Sequence, residues 1–189
     1  MMDLDSLRET IKTRVPPRRI IHILCVEREA DALARRWNAD RVCCRAAALL
    51  HDITKGLPEE DQLKLCDKYD IVASHWELGK PLHALTGAAV AFHEYGASED
   101  VALAVRWHTT GRAGMSTIEK IIYLADFVDS TRHFDGVTTL RRLCFTDLDG
   151  ACLSGFDSSI RRQLATGRTI CPATIEARNA LLDEKKWNN

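Results

Sequence analysis

The sequence lacks two features that would direct it to a membrane or out of the cell. Nowhere in its 189 residues is there a run of about 20 apolar residues, the length that a membrane-spanning helix needs. Its first residues, Met1 to Asp5, also lack the basic stretch and apolar run of a secretory signal. We therefore expect a cytoplasmic protein with no membrane partner.

An excess of charge of either sign is also missing. Lys and Arg together number 26 and Asp and Glu 27, so the formal net charge is -1. Proteins that hold a nucleic acid duplex usually present a strong positive field, and this composition provides none. We expect no duplex partner, and any anionic ligand must meet positive charge that is gathered locally.

Paired cysteine spacing is the third absence. The seven cysteines form an odd set, contain no Cys-x-x-Cys pair and lie mostly among aliphatic residues. This pattern favours reduced thiols in a core over a disulfide framework. The seven are Cys25, Cys43, Cys44, Cys66, Cys144, Cys152 and Cys171.

No stretch sustains the polar and apolar alternation of a half-buried strand, whereas apolar residues recur at intervals of three and four. With 46% apolar and 28% charged residues, the chain can build a core. We predict an all-α, compact bundle of about eight or nine helices in a single domain spanning 1–189, with C-terminal helices over about 137–187. Helices are predicted over roughly 3–13, 17–37, 41–51, 58–68, from 81 past 91, 98–108, from 117 past 126, 147–165 and 172–186.

Residues able to bind a metal recur along this helical pattern. They fall at predicted helix ends or on inward faces of a bundle that can bring them together, in a core of about 18–130. Imidazole and carboxylate without thiolate suit iron, manganese or zinc, and an aspartate beside a histidine can bridge two ions. The residues are His22, the adjacent pair His51 and Asp52, His83, His108 and Asp126.

Each of these residues has an ordinary structural explanation when taken alone. Asp126, on a face with apolar residues, could pair with an arginine, and His22 could be a satisfied core histidine. His83 could simply start a helix, and His108 could sit favourably on a helix dipole. Only their coincidence favours a metal site. The remaining histidines, His75, His93 and His133, lack that context and are predicted to lie on the surface.

Positive side chains lie close in sequence to the candidate metal ligands. Guanidinium forks match phosphate oxygens, and lysine adds a point charge, so these residues suit an anionic substrate. The glycines beside Arg112 suggest a loop that a ligand can approach closely. The cations are Arg18, Arg19, Lys55, Arg112 and Arg132.

The order His, His-Asp, two further histidines and then Asp resembles the HD-domain metal-dependent phosphohydrolases. Four longer runs resemble, more narrowly, the YqeK branch of that family, and together they cover most of the chain from about 19 to 179. They are His51-Asp52-Ile53-Thr54-Lys55-Gly56-Leu57-Pro58, His108-Thr109-Thr110-Gly111-Arg112-Ala113-Gly114-Met115-Ser116, Glu119-Lys120-Ile121-Ile122-Tyr123-Leu124-Ala125-Asp126 and Thr174-Ile175-Glu176-Ala177-Arg178-Asn179.

This resemblance implies symmetrical cleavage of diadenosine tetraphosphate into two ADP by an HD-domain bundle that carries iron, as one or two ions, with manganese, cobalt or zinc as alternatives. It implies His22, His51, Asp52 and Asp126 as the primary metal ligands. Asp52, His83 and His108 are the expected catalytic residues, the two histidines serving a second metal or the phosphates. The expected substrate contacts are Arg19, Lys55, His83, His108, Thr110, Gly111, Arg112 and Arg132.

The chain departs from the family pattern around the first histidine. The family often has Glu-His-Ser-Leu-Gly there, whereas this chain has Ile21-His22-Ile23-Leu24-Cys25, which removes a hydroxyl and a glycine. Two other functions are compatible with the same ligands: an HD phosphohydrolase for a nucleoside mono- or triphosphate or an alarmone, and a metal-bearing nucleotide-binding module without turnover. A homodimer is compatible with the sequence as well.

Overall fold

The computed structural model describes residues 3–187, and every regular element in that range is a helix. Ten α-helices are present, together with one short 3-10 turn at His75–Glu77. In chain order the helices are α1 Leu4–Arg14, α2 Pro17–Arg36, α3 Arg41–Leu50, α4 Glu59–Lys68, α5 Leu82–Tyr95, α6 Glu99–Trp107, α7 Thr117–Val128, α8 Val137–Cys144, α9 Leu148–Ala165 and α10 Pro172–Trp187.

The predicted all-α fold is confirmed, and each of the nine segments predicted to be helical contains a helix. The structure adds α8, which the sequence pattern did not single out. This helix has only eight residues, and its buried side chains are Val137, Leu140 and Cys144. Two turns offer too few repeats of the apolar spacing to predict a helix from periodicity.

Helix α3 lies at the middle of the bundle and contacts α1, α2, α5, α6 and α7. Its run from Ala46 to Leu50 is completely buried. Three consecutive alanines allow neighbouring helix backbones to approach closely, since ridges and grooves made by small side chains are shallow. The end of α3 is therefore held at the centre of the molecule, and His51 and Asp52 follow it directly.

Side-chain caps set the starts of two of the helices that lead to the candidate site. Asp40 accepts hydrogen bonds from the amides of Val42 and Cys43 at 2.8 and 2.9 Å, which starts α3 as predicted. Ser116 and Glu119 form the predicted capping box of α7, and the Ser116 amide donates to Glu119 Oε2 at 2.8 Å. These caps fix where α3 and α7 begin, and so how far along each helix the site residues fall.

All seven cysteines are free thiols, as the sequence predicted. Four of them are buried: Cys44, Cys66, Cys144 and Cys152. Burial raises the pKa of the Cys44 and Cys144 thiols to about 12, so these groups stay protonated and behave as small apolar side chains. Among residues 3–187, no helix combines the length and hydropathy needed to cross a membrane.

Close packing between α7 and α9 depends on Gly155. A Cβ at this position would lie 2.9 Å from Cε1 of the buried Tyr123 ring and 3.1 Å from its hydroxyl. Alanine is otherwise favoured over glycine inside a helix by about 1 kcal/mol, so an unhindered Gly155→Ala would stabilise the protein. Because the ring blocks the methyl group, we expect a net loss of about 1–3 kcal/mol in the free energy of unfolding.

Urea denaturation followed by circular dichroism measures this loss, with Ser154→Ala on the same helix as the control. The control should change the free energy of unfolding little. A Gly155→Ala protein as stable as the wild type would contradict the proposed contact with Tyr123.

Candidate metal centre

The candidate metal ligands come from five helices and meet at one place. His22 lies on α2, and His51 and Asp52 directly follow α3. His83 is in the first turn of α5, His108 directly follows α6, and Asp126 lies near the end of α7. Their ligand atoms form overlapping groups in which all atoms lie within 4.8 Å of one another. Residues separated by more than 100 positions in sequence are thus adjacent in the fold.

Three of the histidines are oriented by backbone carbonyl groups three residues earlier in the chain. The Nδ1 atoms of His51, His83 and His108 each lie within hydrogen-bond distance of the carbonyl oxygen three residues earlier, at 2.6, 2.7 and 2.7 Å. With Nδ1 donating to a carbonyl, the neutral ring presents Nε2 as a lone pair, which is the form that binds metals. In all three rings, Nε2 faces the other ligands.

The first group of ligand atoms joins two histidines and two aspartates. Nε2 of His22 lies 3.3 Å from Nε2 of His51 and 3.1 Å from Oδ1 of Asp126. Oδ2 of Asp52 lies 3.5 Å from His51 Nε2 and 3.8 Å from His22 Nε2. Two imidazole nitrogens and two carboxylate oxygens at these separations can hold one divalent cation.

The second group uses the other oxygen of the same aspartate. Oδ1 of Asp52 lies 3.3 Å from His83 Nε2 and 3.7 Å from His108 Nε2, and the two histidine nitrogens are 3.2 Å apart. Asp52 therefore faces a pair of imidazoles with each of its oxygens. A carboxylate placed in this way can bridge two metal ions.

The environment of Asp52 fits a bound cation. The residue is completely buried, and its Oδ1 faces Lys55 Nζ at 3.1 Å as well as the Nε2 atoms of His83 and His108. Burial would raise the pKa of this carboxyl. Electrostatic interaction with His51, together with the adjacent His108 and His83 rings, nevertheless holds the pKa well below its usual range. A buried carboxylate is costly unless positive charge surrounds it, so the chemistry of the donor set and the complete burial of Asp52 both fit a metal.

Three of the predicted cations also reach the centre. Arg19 forms an ion pair with Asp52, and Lys55 lies against the other oxygen of that carboxylate. Arg132 forms ion pairs with Asp126 and, at 3.1 Å, with Asp129. Positive charge is therefore gathered at the centre, as the sequence predicted an anionic ligand would need.

Arg112, in contrast, pairs with Glu119 and not with a candidate metal ligand. Its Nε and Nη2 donate to the two carboxylate oxygens of Glu119 at 2.6 and 2.9 Å, and Glu119 is 1% exposed. Because Glu119 also belongs to the capping box of α7, this ion pair supports the start of that helix. A phosphate contact by Arg112, which the family resemblance implies, would compete with Glu119 for the guanidinium.

Thr110 and Gly111 are buried in the same loop. Thr110 donates its hydroxyl to the carbonyl oxygen of Gly111 at 3.0 Å. Gly111 has a φ of 68°, and a Cβ there would lie 2.6 Å from the Phe156 ring, so only glycine fits. Their contacts to substrate stay predictions, because in the structure Gly111 packs against Phe156 of α9 and the Thr110 hydroxyl is bonded within the loop.

The sequence analysis missed Asp129. Its Oδ2 lies 3.3 Å from His22 Nδ1, so His22 is held by a carboxylate where the other three rings are held by carbonyl oxygens. Burial alone would lower the pKa of His22, but hydrogen bonds to Asp126 and Asp129 raise it to about 9. The available signal was the spacing of Asp126 and Asp129, since residues three apart share one side of a helix.

The three histidines predicted to lie on the surface are exposed. His93 stacks on Tyr69 with ring centroids 4.7 Å apart, which accounts for it without a ligand. His75 belongs to the 3-10 turn, and His133 lies in the loop before α8.

Comparison with known proteins agrees with this geometry. The family model described as "HD domain" matches residues 19–131. Two proteins named "Bis(5'-nucleosyl)-tetraphosphatase, symmetrical" are similar along nearly the whole chain. The one from Halalkalibacterium halodurans is 36% identical, over 98% of this chain and 100% of its own length. The one from Bacillus subtilis is 31% identical, over 96% of this chain and 98% of its own length.

A solved structure has the same fold. It is a crystal structure of an HD superfamily hydrolase, described as involved in NAD metabolism, from Clostridium acetobutylicum. The TM-score is 0.92 at 35% identity, and the match covers 97% of this chain and 99% of the other. The family match, the full-length relatives and the shared fold show that this chain belongs to the HD-domain family and groups with the relatives named as symmetrical tetraphosphatases.

Proposed function

We propose that this chain is a metal-dependent hydrolase that cleaves diadenosine tetraphosphate symmetrically into two ADP. The observation that carries the proposal is the position of Asp52, whose two oxygens each face a separate pair of imidazoles. The relatives from H. halodurans and B. subtilis bear the name of this activity, and the chain aligns with them along nearly their full length.

In this proposal His22, His51, Asp52 and Asp126 are the primary metal ligands, and His83 and His108 meet a second ion or the phosphates. A bound divalent ion supplies a water of lowered pKa and polarises phosphoryl oxygens. Asp52 would contribute one carboxylate oxygen to each of the two groups of ligands. Burial lowers the pKa of His108 to about 4, so its ring stays neutral at neutral pH and can serve as a ligand or as a hydrogen-bond partner.

The cations at the centre would bind the phosphates. Arg19, Lys55 and Arg132 already form ion pairs with ligand carboxylates, which places their donors beside the position that a phosphoryl group would occupy. Such fixed donors stabilise the negative charge that spreads over phosphoryl oxygens in the transition state. Thr110, Gly111 and Arg112 would contribute through the neighbouring loop.

The nature of the metal is part of the proposal. The HD domain and the cluster of histidines and aspartates support a divalent cation. Nitrogen and oxygen ligands without thiolate suit iron, with manganese, cobalt and zinc as alternatives, and the two faces of Asp52 allow one or two ions. We further propose a cytoplasmic enzyme with no nucleic acid duplex or membrane partner, organised as a single HD domain over 1–189, which includes the ends that lie outside the described residues. A homodimer is compatible with this proposal.

The first test is product analysis. Purified protein loaded with iron, manganese, cobalt or zinc is mixed with diadenosine tetraphosphate, and the products are separated by chromatography. We expect two ADP per substrate, and at least about a hundredfold lower turnover in Asp52→Ala, because the bridging ligand is lost.

Asp135→Asn, which changes an exposed carboxylate, is the control and should leave turnover unchanged. ATP plus AMP as products would contradict the symmetrical cut. Cleavage of a nucleoside triphosphate or an alarmone in place of the dinucleotide would indicate an HD phosphohydrolase with a different substrate. Nucleotide binding without turnover under every metal would indicate a binding module.

Asp129 is predicted to act through His22. Asp129→Asn removes the negative charge that holds His22 Nδ1 while keeping the size of the side chain, so we expect metal affinity to fall about 10- to 100-fold. The measurement is metal retained after dialysis against graded concentrations of a chelator, together with the visible spectrum of the cobalt form. Unchanged metal retention, with Asp135→Asn again as the control, would show that the Asp129 contact is structural only.

Arg112 allows its two roles to be separated. If its main partner is the buried Glu119, Arg112→Ala and Glu119→Gln should both lower Tm, since each leaves one member of the ion pair alone. If it mainly binds phosphate, Arg112→Ala should raise KM for the dinucleotide at an unchanged Tm. From the geometry we expect a lower Tm in both variants, measured by thermal unfolding, and a KM effect in Arg112→Ala smaller than about tenfold.

A further inference from the structure

Two cavities open beside the metal centre, one next to each group of ligands. The first, which we call the Trp76 cavity, has a volume of about 240 Å³ and is lined by Trp76, Lys80, Thr109, Ser159 and Arg168, among others. The second, the Phe134 cavity, has a volume of about 570 Å³. Its lining includes Asp126, Phe127, Arg132, Phe134, Ser159 and Arg162.

The Trp76 cavity borders the second group of ligands. Thr109 Oγ1 lies 3.1 Å from His108 Nε2, and the Lys80 carbonyl oxygen lies 2.7 Å from His83 Nδ1. A molecule in this cavity would therefore extend toward His83 and His108.

The Phe134 cavity borders the first group of ligands instead. Its wall includes Asp126, whose Oδ1 lies 3.1 Å from His22 Nε2, and Arg132, which pairs with Asp126. Ser159 on α9 lines both cavities, so they are neighbours on the same side of the molecule. Asp52 lies between the two groups of ligands that the cavities approach.

Both cavities contain positive charge that no acidic residue neutralises. Lys80 and Arg168 line one, Arg162 lines the other, and none of these three forms an ion pair with any residue in the described part of the chain. Partial desolvation and the charges of Arg168, Arg162 and Lys55 lower the pKa of Lys80, so these cations repel one another. Such a cluster favours a ligand that carries several negative charges.

Each cavity also offers an aromatic surface. Trp76 is half-buried in the wall of the first. In the second, Phe134 is 37% exposed and packs edge-on against Phe127, with ring centroids 5.5 Å apart. Exposed aromatic rings beside arginines are the surfaces on which nucleobases stack.

We propose that each cavity binds one nucleoside diphosphate half of the substrate, one base beside Trp76 and the other beside Phe134. This inference rests on the proposed function and adds where the two halves lie. Lys80 and Arg168 would hold the phosphates of one half, and Arg162 and Arg132 those of the other. The midpoint of the polyphosphate would then lie at the metal centre.

This arrangement accounts for a symmetrical cut. A water oxygen forms a bond to one of the two central phosphorus atoms, and the bond from that phosphorus to the central bridging oxygen breaks. The bridging oxygen leaves with the other half, so one water is consumed and two ADP are formed, and the two protons of the water pass to the new terminal phosphates or to solvent. Because each half is held by its own cavity, the reacting bond is the one midway between them.

The test counts ADP sites on the manganese-loaded protein by equilibrium dialysis to saturation with labelled ADP. We expect two ADP per chain. Arg168→Gln and Trp76→Ala should weaken one site, and Arg162→Gln and Phe134→Ala the other, roughly tenfold or more each. Arg168 and Arg162 are exposed, so their replacement tests the sites even if the aromatic variants fold poorly.

Arg161→Gln is the matched control, because Arg161 is an exposed neighbour of Arg162 outside both cavities. It should retain both sites with unchanged affinity. One ADP per chain in the wild type, or weakening of the same site by Arg168→Gln and Arg162→Gln, would overturn the proposal.

The outcome is separable from that of the proposed function. Symmetrical cleavage to ADP by a protein with a single ADP site would refute the two-cavity arrangement and leave the activity in place. Two ADP sites that respond to these variants, in a protein that does not cleave diadenosine tetraphosphate, would support the two cavities as nucleotide sites and refute the activity. As a further readout, Arg168→Gln and Arg162→Gln should each raise KM for the dinucleotide more than they lower kcat.

Discussion

A single buried carboxylate, that of Asp52, organises the centre of this molecule. It is completely buried, and its two oxygens face separate pairs of imidazoles. A negative charge in such a place is tolerated only when positive charge and hydrogen-bond donors surround it. The histidines, Arg19 and Lys55 supply that surrounding in the structure. The ends of several helices meet here and together bring these donors to one carboxylate.

The fold supplies orientation as well as proximity. The carbonyl oxygens of Ala48, Lys80 and Val105 accept from the Nδ1 atoms of three histidines, each from within the turn that precedes the ligand. At the ends of α3 and α6 these are carbonyl groups that the helix leaves free, whereas the Lys80 carbonyl precedes the start of α5. His22, which lies inside α2 and has no such free carbonyl nearby, is held by Asp129 instead.

Positive charge near the centre divides into two kinds. Arg19 and Arg132 at the centre, and Arg112 in the loop after α6, are ion-paired to carboxylates of the chain, so a ligand must compete for them or share them. Arg162 and Arg168 have no acidic partner among the described residues and line cavities at the mouth of the site. The cations that the sequence analysis singled out are thus the ones held by acidic side chains, whereas Arg162 and Arg168, which it did not single out, are free of such partners among the described residues.

The sequence by itself determined the helical class, nine of the ten helices and the types of residue that could serve as metal ligands. These properties follow from local periodicity, from caps such as Ser116 with Glu119, and from the types of residue present. The tertiary structure alone decided that Asp52 faces two groups, that Asp129 holds His22 and that Arg112 binds Glu119. Those contacts depend on side-chain directions and on helix packing around Ala46, Ala47 and Ala48. Neither is encoded in local spacing, because residues distant in sequence must first be brought together.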